Sequence, residues 1–177
     1  MFKLVGIVMM GIGIMGVIKD WMFRQIRRQK RMEEIISFYR KAVYAIEETQ
    51  TPLIPFFESI ESVESLGNRD SCLTDCVHEI AARLKENRYP KGKSAWQEVM
   101  KEQRERWDFS KESFDLLFHS GSAFFGKSQK ENLELLRLYI RLFSDCARKE
   151  KMAFAEQKKV WIPVGALGGI MLVIMLM

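Results

Sequence analysis

The sequence predicts an all-α fold: a six-helix cytoplasmic bundle flanked by an N-terminal and a C-terminal transmembrane helix. Three observations support this prediction. An apolar run lies at each end of the chain, apolar residues between the runs repeat at helical spacing, and few glycines or prolines interrupt that spacing. No segment keeps the two-residue period of a strand for more than a few residues. The 177 residues suggest one modest domain between the runs.

The apolar runs cover residues 4–18 and 160–177, and neither contains a charged side chain. Each is short beside the roughly 20 residues of a comfortable membrane span. Basic and tryptophan side chains beside the runs can extend them into the headgroup region; these are Lys3, Lys19, Trp21, Lys158, Lys159 and Trp161.

We therefore predict an N-terminal transmembrane helix at 1–20, a cytoplasmic helical bundle at 21–159 and a C-terminal transmembrane helix at 160–177. A cleaved signal peptide is less favoured because no Ala-x-Ala site precedes the first charges. A buried core helix at the C-terminus is less favoured because that run is apolar on every face.

Basic residues beside the runs predict the orientation in the membrane. Eight lie between 19 and 41, against Lys3 alone before the first run, and five lie between 148 and 159. The positive-inside rule then places the middle of the chain in the cytoplasm and both termini outside. Anionic lipid headgroups attract such flanks. Nucleic-acid binding by "RQIRRQKR" at 24–31 is less favoured, since the segment adjoins a span and no recognised reading module is present.

Six helices are predicted between the runs, each from start or stop signals and apolar spacing. The first continues the N-terminal span. The second starts at Thr51 with Pro52 in its first turn and stops at Gly67. The other four start at Asp70 or Ser71, at Ser94, at Ser110 and at Ser128, and the serines at 94 and 128 form capping boxes with Gln97 and Glu131.

The last helix is predicted to lie near the centre of the bundle, because it also carries apolar residues on its second side, at Leu135, Leu138, Tyr139 and Leu142. The predicted core consists of apolar residues at helical spacing: Met32, Ile35, Ile36, Tyr39, Ala42, Val43, Ile46, Leu53, Phe56, Phe57, Ile60, Val63, Cys72, Cys76, Val77, Ile80, Leu84, Trp96, Val99, Met100, Phe114, Leu117, Phe118, Leu133, Leu136, Ile140, Phe143 and Ala147.

The three cysteines, Cys72, Cys76 and Cys146, are an odd number and indicate a reducing compartment. With His78 and His119 they could be imagined as a zinc site. We favour the interpretation that the cysteines are small buried apolar residues, because no Cys-x-x-Cys pair is present. The sequence thus predicts no metal site.

Residues 121–128, "GSAFFGKS", match the spelling of a phosphate-binding loop at Gly121, Gly126, Lys127 and Ser128. Such a loop follows a buried strand in a fold with a parallel sheet, whereas "SKESFDLLFHS" before it has helical spacing. We interpret the match as chance: the glycines allow close packing and a turn, Ser128 caps the last helix, and Lys127 faces solvent. No catalytic residue and no cofactor are predicted.

The order and spacing of several segments point to a family: "TPLIPFFESI" at 51–60, "SAWQEVM" at 94–100, "GSAFFGKSQKENLELLRLYI" at 121–140 and "VGALGGIMLVIML" at 164–176. With the N-terminal anchor, they resemble the stage III sporulation protein AB family of endospore-forming bacteria over almost the whole length. Members often carry an acidic residue after the serine that matches Ser128, whereas this chain has Gln129.

The resemblance implies a non-enzymatic membrane protein of the secretion-like channel between mother cell and forespore. Such proteins are similar to the cytoplasmic domain of the inner-membrane platform proteins of type II secretion and type IV pilus machines. The implied partners are a secretion-type ATPase and other membrane proteins of the channel, and the implied location is the mother-cell membrane around the forespore. A platform or adaptor of another secretion or pilus system is the alternative.

Two sets of residues are candidates for assembly. Gly165 and Gly169 form a Gly-x-x-x-Gly that permits close helix crossing, either within the chain or in a homo-oligomer, although glycine is also common in membrane helices. The acidic residues Glu58, Glu61 and Glu64 could dock a basic partner, but a solvated face is favoured.

Overall fold

The structure, a computed structural model, describes residues 2–60, 72–86 and 92–176; for most residues in 2–15 and 161–176 it gives only the backbone. Within these residues there are seven α-helices and one 3-10 turn, Gly121–Ala123. The helices are α1 (Phe2–Glu47), α2 (Leu53–Ser59), α3 (Cys72–Lys85), α4 (Gly92–Glu102), α5 (Arg104–Trp107), α6 (Lys111–Ser120) and α7 (Gln129–Leu176).

The predicted all-α class is confirmed, since the described residues contain helices and no strand. Within the described part of the chain, no helix is long and apolar enough to cross a membrane. The backbone of the predicted span at 1–20 is helical from Phe2 onward, and that of the predicted span at 160–177 is helical up to Leu176. Most of their side chains lie outside the described residues, so the transmembrane assignment stays a prediction.

The chain divides into two compact units. The core unit is Lys30–Ala147, and the terminal unit combines Met1–Gln29 with Arg148–Met177. Charge is distributed unequally between them: the terminal unit has ten basic and three acidic residues, and the core unit has eighteen basic and twenty acidic residues. The terminal unit therefore carries a net charge of +7 and the core unit one of −2.

Helices α1 and α7 pack antiparallel in the core unit. The ring centroids of Tyr39 and Phe143 are 5.3 Å apart, and the Arg137 guanidinium pairs with the Glu47 carboxylate. The chain therefore enters and leaves this unit at the same end. The turn between α6 and α7 lies at the other end, about 25 Å away along α1 at 1.5 Å per residue.

Phe124 is the hub of an aromatic cluster at the centre of the core unit. Its side chain is almost fully buried. Its ring centroid lies 5.3 to 5.6 Å from those of four other aromatic residues, the separation at which rings attract one another; they are Phe38, Tyr39, Phe57 and Trp96. These partners belong to α1, α2 and α4, so one side chain from the turn ties three helices together.

Two predicted helix starts are confirmed. Helix α6 begins after Ser110, whose Oγ accepts a hydrogen bond from the Ser113 backbone N–H at 3.2 Å. Helix α7 begins after Ser128, whose Oγ accepts from the Glu131 N–H at 3.2 Å. Both serines satisfy a backbone donor that has no partner inside its helix.

Two other predicted starts were wrong. Helix α2 begins at Leu53 with Pro52 at its N-cap and no side-chain cap, and Thr51, one residue earlier, has its Oγ1 2.5 Å from Thr49 Oγ1 beside the end of α1. Helix α4 begins at Gly92, so Ser94 lies within its first turn. The starts predicted at Asp70 or Ser71, and Val63 and Gly67 at the end of the second helix, lie outside the described residues.

Most of the predicted core positions in the described helices are buried or partly buried, but the prediction that the last helix is covered on both sides holds for only part of its second side. Leu136 and Phe143 on α7 are fully buried, whereas Leu138 and Leu142 are exposed. The apolar residues on the second side of this helix are thus divided within the core unit: Leu135 and Tyr139 are partly buried against the core, whereas Leu138 and Leu142 face solvent. Helix α5, with the buried Trp107, was not predicted at all.

Replacing Phe124 with alanine should lower the free energy of unfolding by about 3 to 5 kcal/mol, because a large buried ring would leave a cavity among its aromatic neighbours. Urea unfolding of the full chain in detergent, followed by circular dichroism, measures this loss. Phe125→Ala is the matched control, since Phe125 is only half-buried, and its effect should be clearly smaller. Equal losses for the two variants would contradict the central role of Phe124.

Candidate functional site

The segment 121–128 connects two helices. Helix α6 ends at Ser120, the 3-10 turn Gly121–Ala123 follows directly, and α7 begins at Gln129. The chain therefore reaches Gly121 from a helix, whereas a phosphate-binding loop follows a strand. A helix thus stands where a phosphate-binding loop would have its strand, and we keep the interpretation that the match is due to chance.

Gly121 allows α4 to pack closely against the turn. A β-carbon at this position would lie 2.3 Å from Trp96 Cγ, which is far closer than side-chain atoms approach one another. Trp96 is fully buried, and its indole N–H donates a hydrogen bond to the Leu117 carbonyl at 3.0 Å. The glycine thus makes room for an indole that joins α4 to α6.

Gly126 has a similar role at the other end of the turn. A β-carbon there would lie 2.1 Å from Asn132 Oδ1. The Asn132 amide N–H donates to the Phe124 carbonyl at 3.4 Å. A larger residue at 126 would displace this amide, so the glycine helps to hold the residue that forms the aromatic hub.

Ser128 and Glu131 form the predicted capping box in modified form. The Ser128 hydroxyl accepts from the Glu131 N–H as expected, but the Glu131 carboxylate accepts from the backbone N–H of Lys127, at 3.2 Å, one residue earlier than in the usual box. The Lys127 side chain is exposed, as predicted. Local hydrogen bonding at the helix start thus accounts for Ser128.

A surface cleft of about 410 Å³ lies beside this turn, at the end of the core unit opposite its chain connections. Its apolar wall includes Leu53 and Phe56, and its polar rim includes Lys127 and Gln129. The Gln129 amide N–H donates to the Ile46 carbonyl at 2.9 Å, which satisfies an acceptor at the end of α1. A carboxylate could not donate this bond, so the amide of Gln129 links α7 to α1.

The cysteine and histidine side chains do not form a metal centre in the described residues, where no group of three potential ligands occurs. Cys72 and Cys76 are buried on one face of α3. Cys146 Sγ lies 3.2 Å from Ser113 Oγ, and a ring nitrogen of His78 lies 3.0 Å from the Ile60 carbonyl oxygen. His119 lies edge-on against its neighbour, Phe118.

The paired thiols on α3 are chemically unequal. The hydrogen bond to Cys72, together with burial, raises the pKa of the Cys76 thiol above its ordinary value of about 9. A raised pKa keeps this thiol protonated and unreactive in the folded protein. Cys76 therefore behaves as part of the core, whereas the hydrogen bond to Cys76 lowers the pKa of the Cys72 thiol.

The remaining candidates fall partly outside the described residues. Glu58 is exposed and pairs with Lys85, whereas Glu61 and Glu64 are not described. Gly165 and Gly169 lie within α7, but their side-chain surroundings are not described, so their role in transmembrane packing stays a prediction.

One contact that sequence analysis missed joins α1 to α5. The Arg31 guanidinium donates to the carbonyls of Arg106 and Trp107, at 2.6 and 2.8 Å. It satisfies carbonyls at the end of a four-residue helix, next to Asp108 with its left-handed backbone at φ 50°. No local pattern signals this bond, because the partners are 75 and 76 residues apart.

Comparison with known proteins assigns the chain to a family. The sequence pattern of stage III sporulation protein AB matches residues 3–177, which is nearly the whole chain. The chain belongs to this family. It is a family of structural sporulation proteins rather than a known enzyme family. No curated protein and no solved structure matches the chain, so the likeness to platform proteins of secretion and pilus machines stays a prediction.

Gly121→Ala should lower the stability of the full chain by about 1 to 3 kcal/mol, since the new methyl group would force the buried Trp96 ring to shift. Thermal unfolding in detergent, monitored by circular dichroism, gives the change. Gly16→Ala is the control because a β-carbon there would meet no atom within 4 Å. Gly16→Ala should leave the melting temperature unchanged or raise it, and an equal loss in both variants would refute the packing role of Gly121.

The free energy of unfolding should also fall at high pH, because the pKa of the Cys76 thiol is raised in the folded chain. Below about pH 9 the thiol is protonated in both the folded and the unfolded chain, so its contribution is fully present. Above that pH the unfolded chain loses the proton while the folded chain, with its raised pKa, keeps it. Urea unfolding between pH 9 and pH 10, above the range in which the lowered pKa of Cys72 acts in the opposite sense, should thus show a steeper decline for the parent than for Cys76→Ala. Cys146→Ala serves as the control and should keep the parental slope.

Proposed function

We propose that this chain is a non-enzymatic, membrane-anchored assembly protein of the secretion-like channel between mother cell and forespore. In this role it lies in the mother-cell membrane around the forespore, with the core unit in the cytoplasm and both termini outside. The core unit acts as a platform that contacts a secretion-type ATPase of the same complex.

The observation that carries this proposal is the family match over residues 3–177, which includes both apolar ends of the chain as well as the helical bundle. Sporulation is the process in the family's own description. Anchoring is supported by the apolar runs and by the concentration of basic charge in the terminal unit.

A structural role is supported by what the residues of the turn do. Gly121 and Gly126 give room to packed side chains, and Ser128 caps α7. Three of the four residues that match the nucleotide-loop pattern therefore have roles in packing or helix capping. The fourth, Lys127, is exposed. On this proposal, nucleotide binding belongs to the partner ATPase.

The cleft end of the core unit is the surface that we expect to meet the ATPase. Both chain connections leave from the opposite end, so an anchored protein would hold this end about 25 Å away from them. At that distance a bulky partner in the cytoplasm could reach the cleft without meeting the connections.

Deleting the gene should lower spore yield and gene expression in the engulfed forespore, and expression of the full chain should restore both.

A tagged full chain purified from sporulating cells should bring a secretion-type ATPase with it. Lys127→Glu at the rim of the cleft should reduce this recovery, whereas the control Lys101→Glu, on the exposed face of α4, should not.

Normal sporulation after deletion would refute the sporulation role. Recovery of the channel's membrane proteins without the ATPase would refute the platform role alone. Micromolar ATP binding by the full chain that Lys127→Ala abolishes would overturn the non-enzymatic assignment.

A further inference from the structure

Helix α1 carries an exposed apolar stripe in the terminal unit. The stripe consists of Ile18, Met22, Phe23 and Ile26, which lie on one side of the helix around a groove of about 400 Å³. Phe23 is 52% exposed and Ile26 is 40% exposed, while Ile18 and Met22 are half-buried. Large apolar side chains are seldom clustered in water without a binding role.

The stripe is distinct from the face that α1 uses inside its own unit. Trp21 packs on Phe154 of α7 with ring centroids 5.2 Å apart. Asp20 and Arg24 form an ion pair on another side of the helix. Neither contact covers Phe23 or Ile26, which stay open to their surroundings.

Basic charge accompanies the stripe. The Lys19 ammonium lies 5.8 Å from the centroid of the Phe23 ring, and Arg27 follows Phe23 by one helical turn and is exposed. The terminal unit as a whole has a net charge of +7, while the core unit has −2. The chain thus places its excess positive charge in the same unit as its exposed apolar stripe and its two apolar runs.

We propose that the stripe, with Lys19 and Arg27, binds anionic phospholipid: acyl chain against the stripe, and headgroup phosphate with the two cations. The proposal rests on the membrane anchoring proposed above and adds a lipid selectivity that anchoring alone does not require. The charge of the unit is complementary to an anionic headgroup.

Position along the helix is consistent with this occupant. The stripe begins at Ile18, where the apolar run 4–18 ends, and α1 is continuous through both. Met22 and Phe23 lie about 6 to 8 Å further along at 1.5 Å per residue, close to the 5 to 8 Å depth of one headgroup layer. A helix emerging from the hydrocarbon therefore brings Met22 and Phe23 into the headgroup layer, and Ile26 and Arg27, about 12 to 14 Å beyond Ile18, follow with side chains that tilt back toward the helix N-terminus.

The test uses the full chain in nanodiscs of phosphatidylcholine and phosphatidylglycerol, followed by native mass spectrometry to count the lipids that stay bound. The parent should retain phosphatidylglycerol in preference to phosphatidylcholine. Lys19→Gln with Arg27→Gln should reduce this preference about fivefold or more, since each basic residue near an anionic surface contributes about that factor. Lys101→Gln with Lys111→Gln, two exposed lysines of the core unit, should not change it.

A second pair of variants tests the apolar stripe. Phe23→Gln with Ile26→Gln should lower the number of retained lipids of both kinds. The matched control is Leu138→Gln with Leu142→Gln, because these leucines are similarly exposed, at 47% and 40%, but belong to the core unit. Circular dichroism should show that all four double variants keep their helical content.

Each negative outcome has a separate meaning. Removal of the parent from membranes by alkaline carbonate would refute the anchoring. A carbonate-resistant parent without preference for phosphatidylglycerol, or variants that keep the preference, would refute the lipid site alone. If Phe23→Gln with Ile26→Gln instead dissociated a dimer and left lipid retention unchanged, a second copy would be the occupant and the proposal would be overturned.

Discussion

The core unit depends on the burial of Phe124. Its ring joins helices α1, α2 and α4 from a turn that leads into α7, so four chain segments meet at one side chain. A turn can carry an aromatic residue this far inward only if its backbone approaches the neighbouring helices closely. Gly121 against Trp96 and Gly126 against Asn132 provide that approach. The resemblance to a phosphate loop therefore coincides with glycines that packing already requires.

Much of this architecture is encoded locally and could be predicted. The caps at Ser110 and Ser128 are set by hydrogen bonds within three residues, and the spacing of apolar residues identified the buried faces of α1 and α3. The hub could not be predicted, because its partners lie between 28 and 86 positions away in sequence. The outward leucines of α7 were misjudged for a related reason: spacing shows that a side of a helix is apolar, but only the tertiary arrangement decides whether another element covers it.

The sequence argued against a phosphate-binding loop at 121–128, but it did not reveal the cleft that lies beside this turn. Helical spacing before Gly121 already argued against a phosphate loop. The structure has a helix there, because α6 ends at Ser120, directly before Gly121. The cleft, in contrast, forms from the end of α1, the start of α2 and the start of α7. The bond from Gln129 to Ile46 spans 83 positions. Such a cleft forms only when distant segments pack together, so neither composition nor a sequence motif predicts it.

The antiparallel pairing of α1 with α7 has a consequence for how the protein is made. Tyr39 packs against Phe143, so the ribosome must synthesise about a hundred residues after Tyr39 before this partner exists. During that interval the apolar face of α1 has only α2 and the middle helices to cover it, and long-range closure of this kind slows folding. The newly made chain is therefore most prone to aggregation late in translation, just before its C-terminal segment emerges.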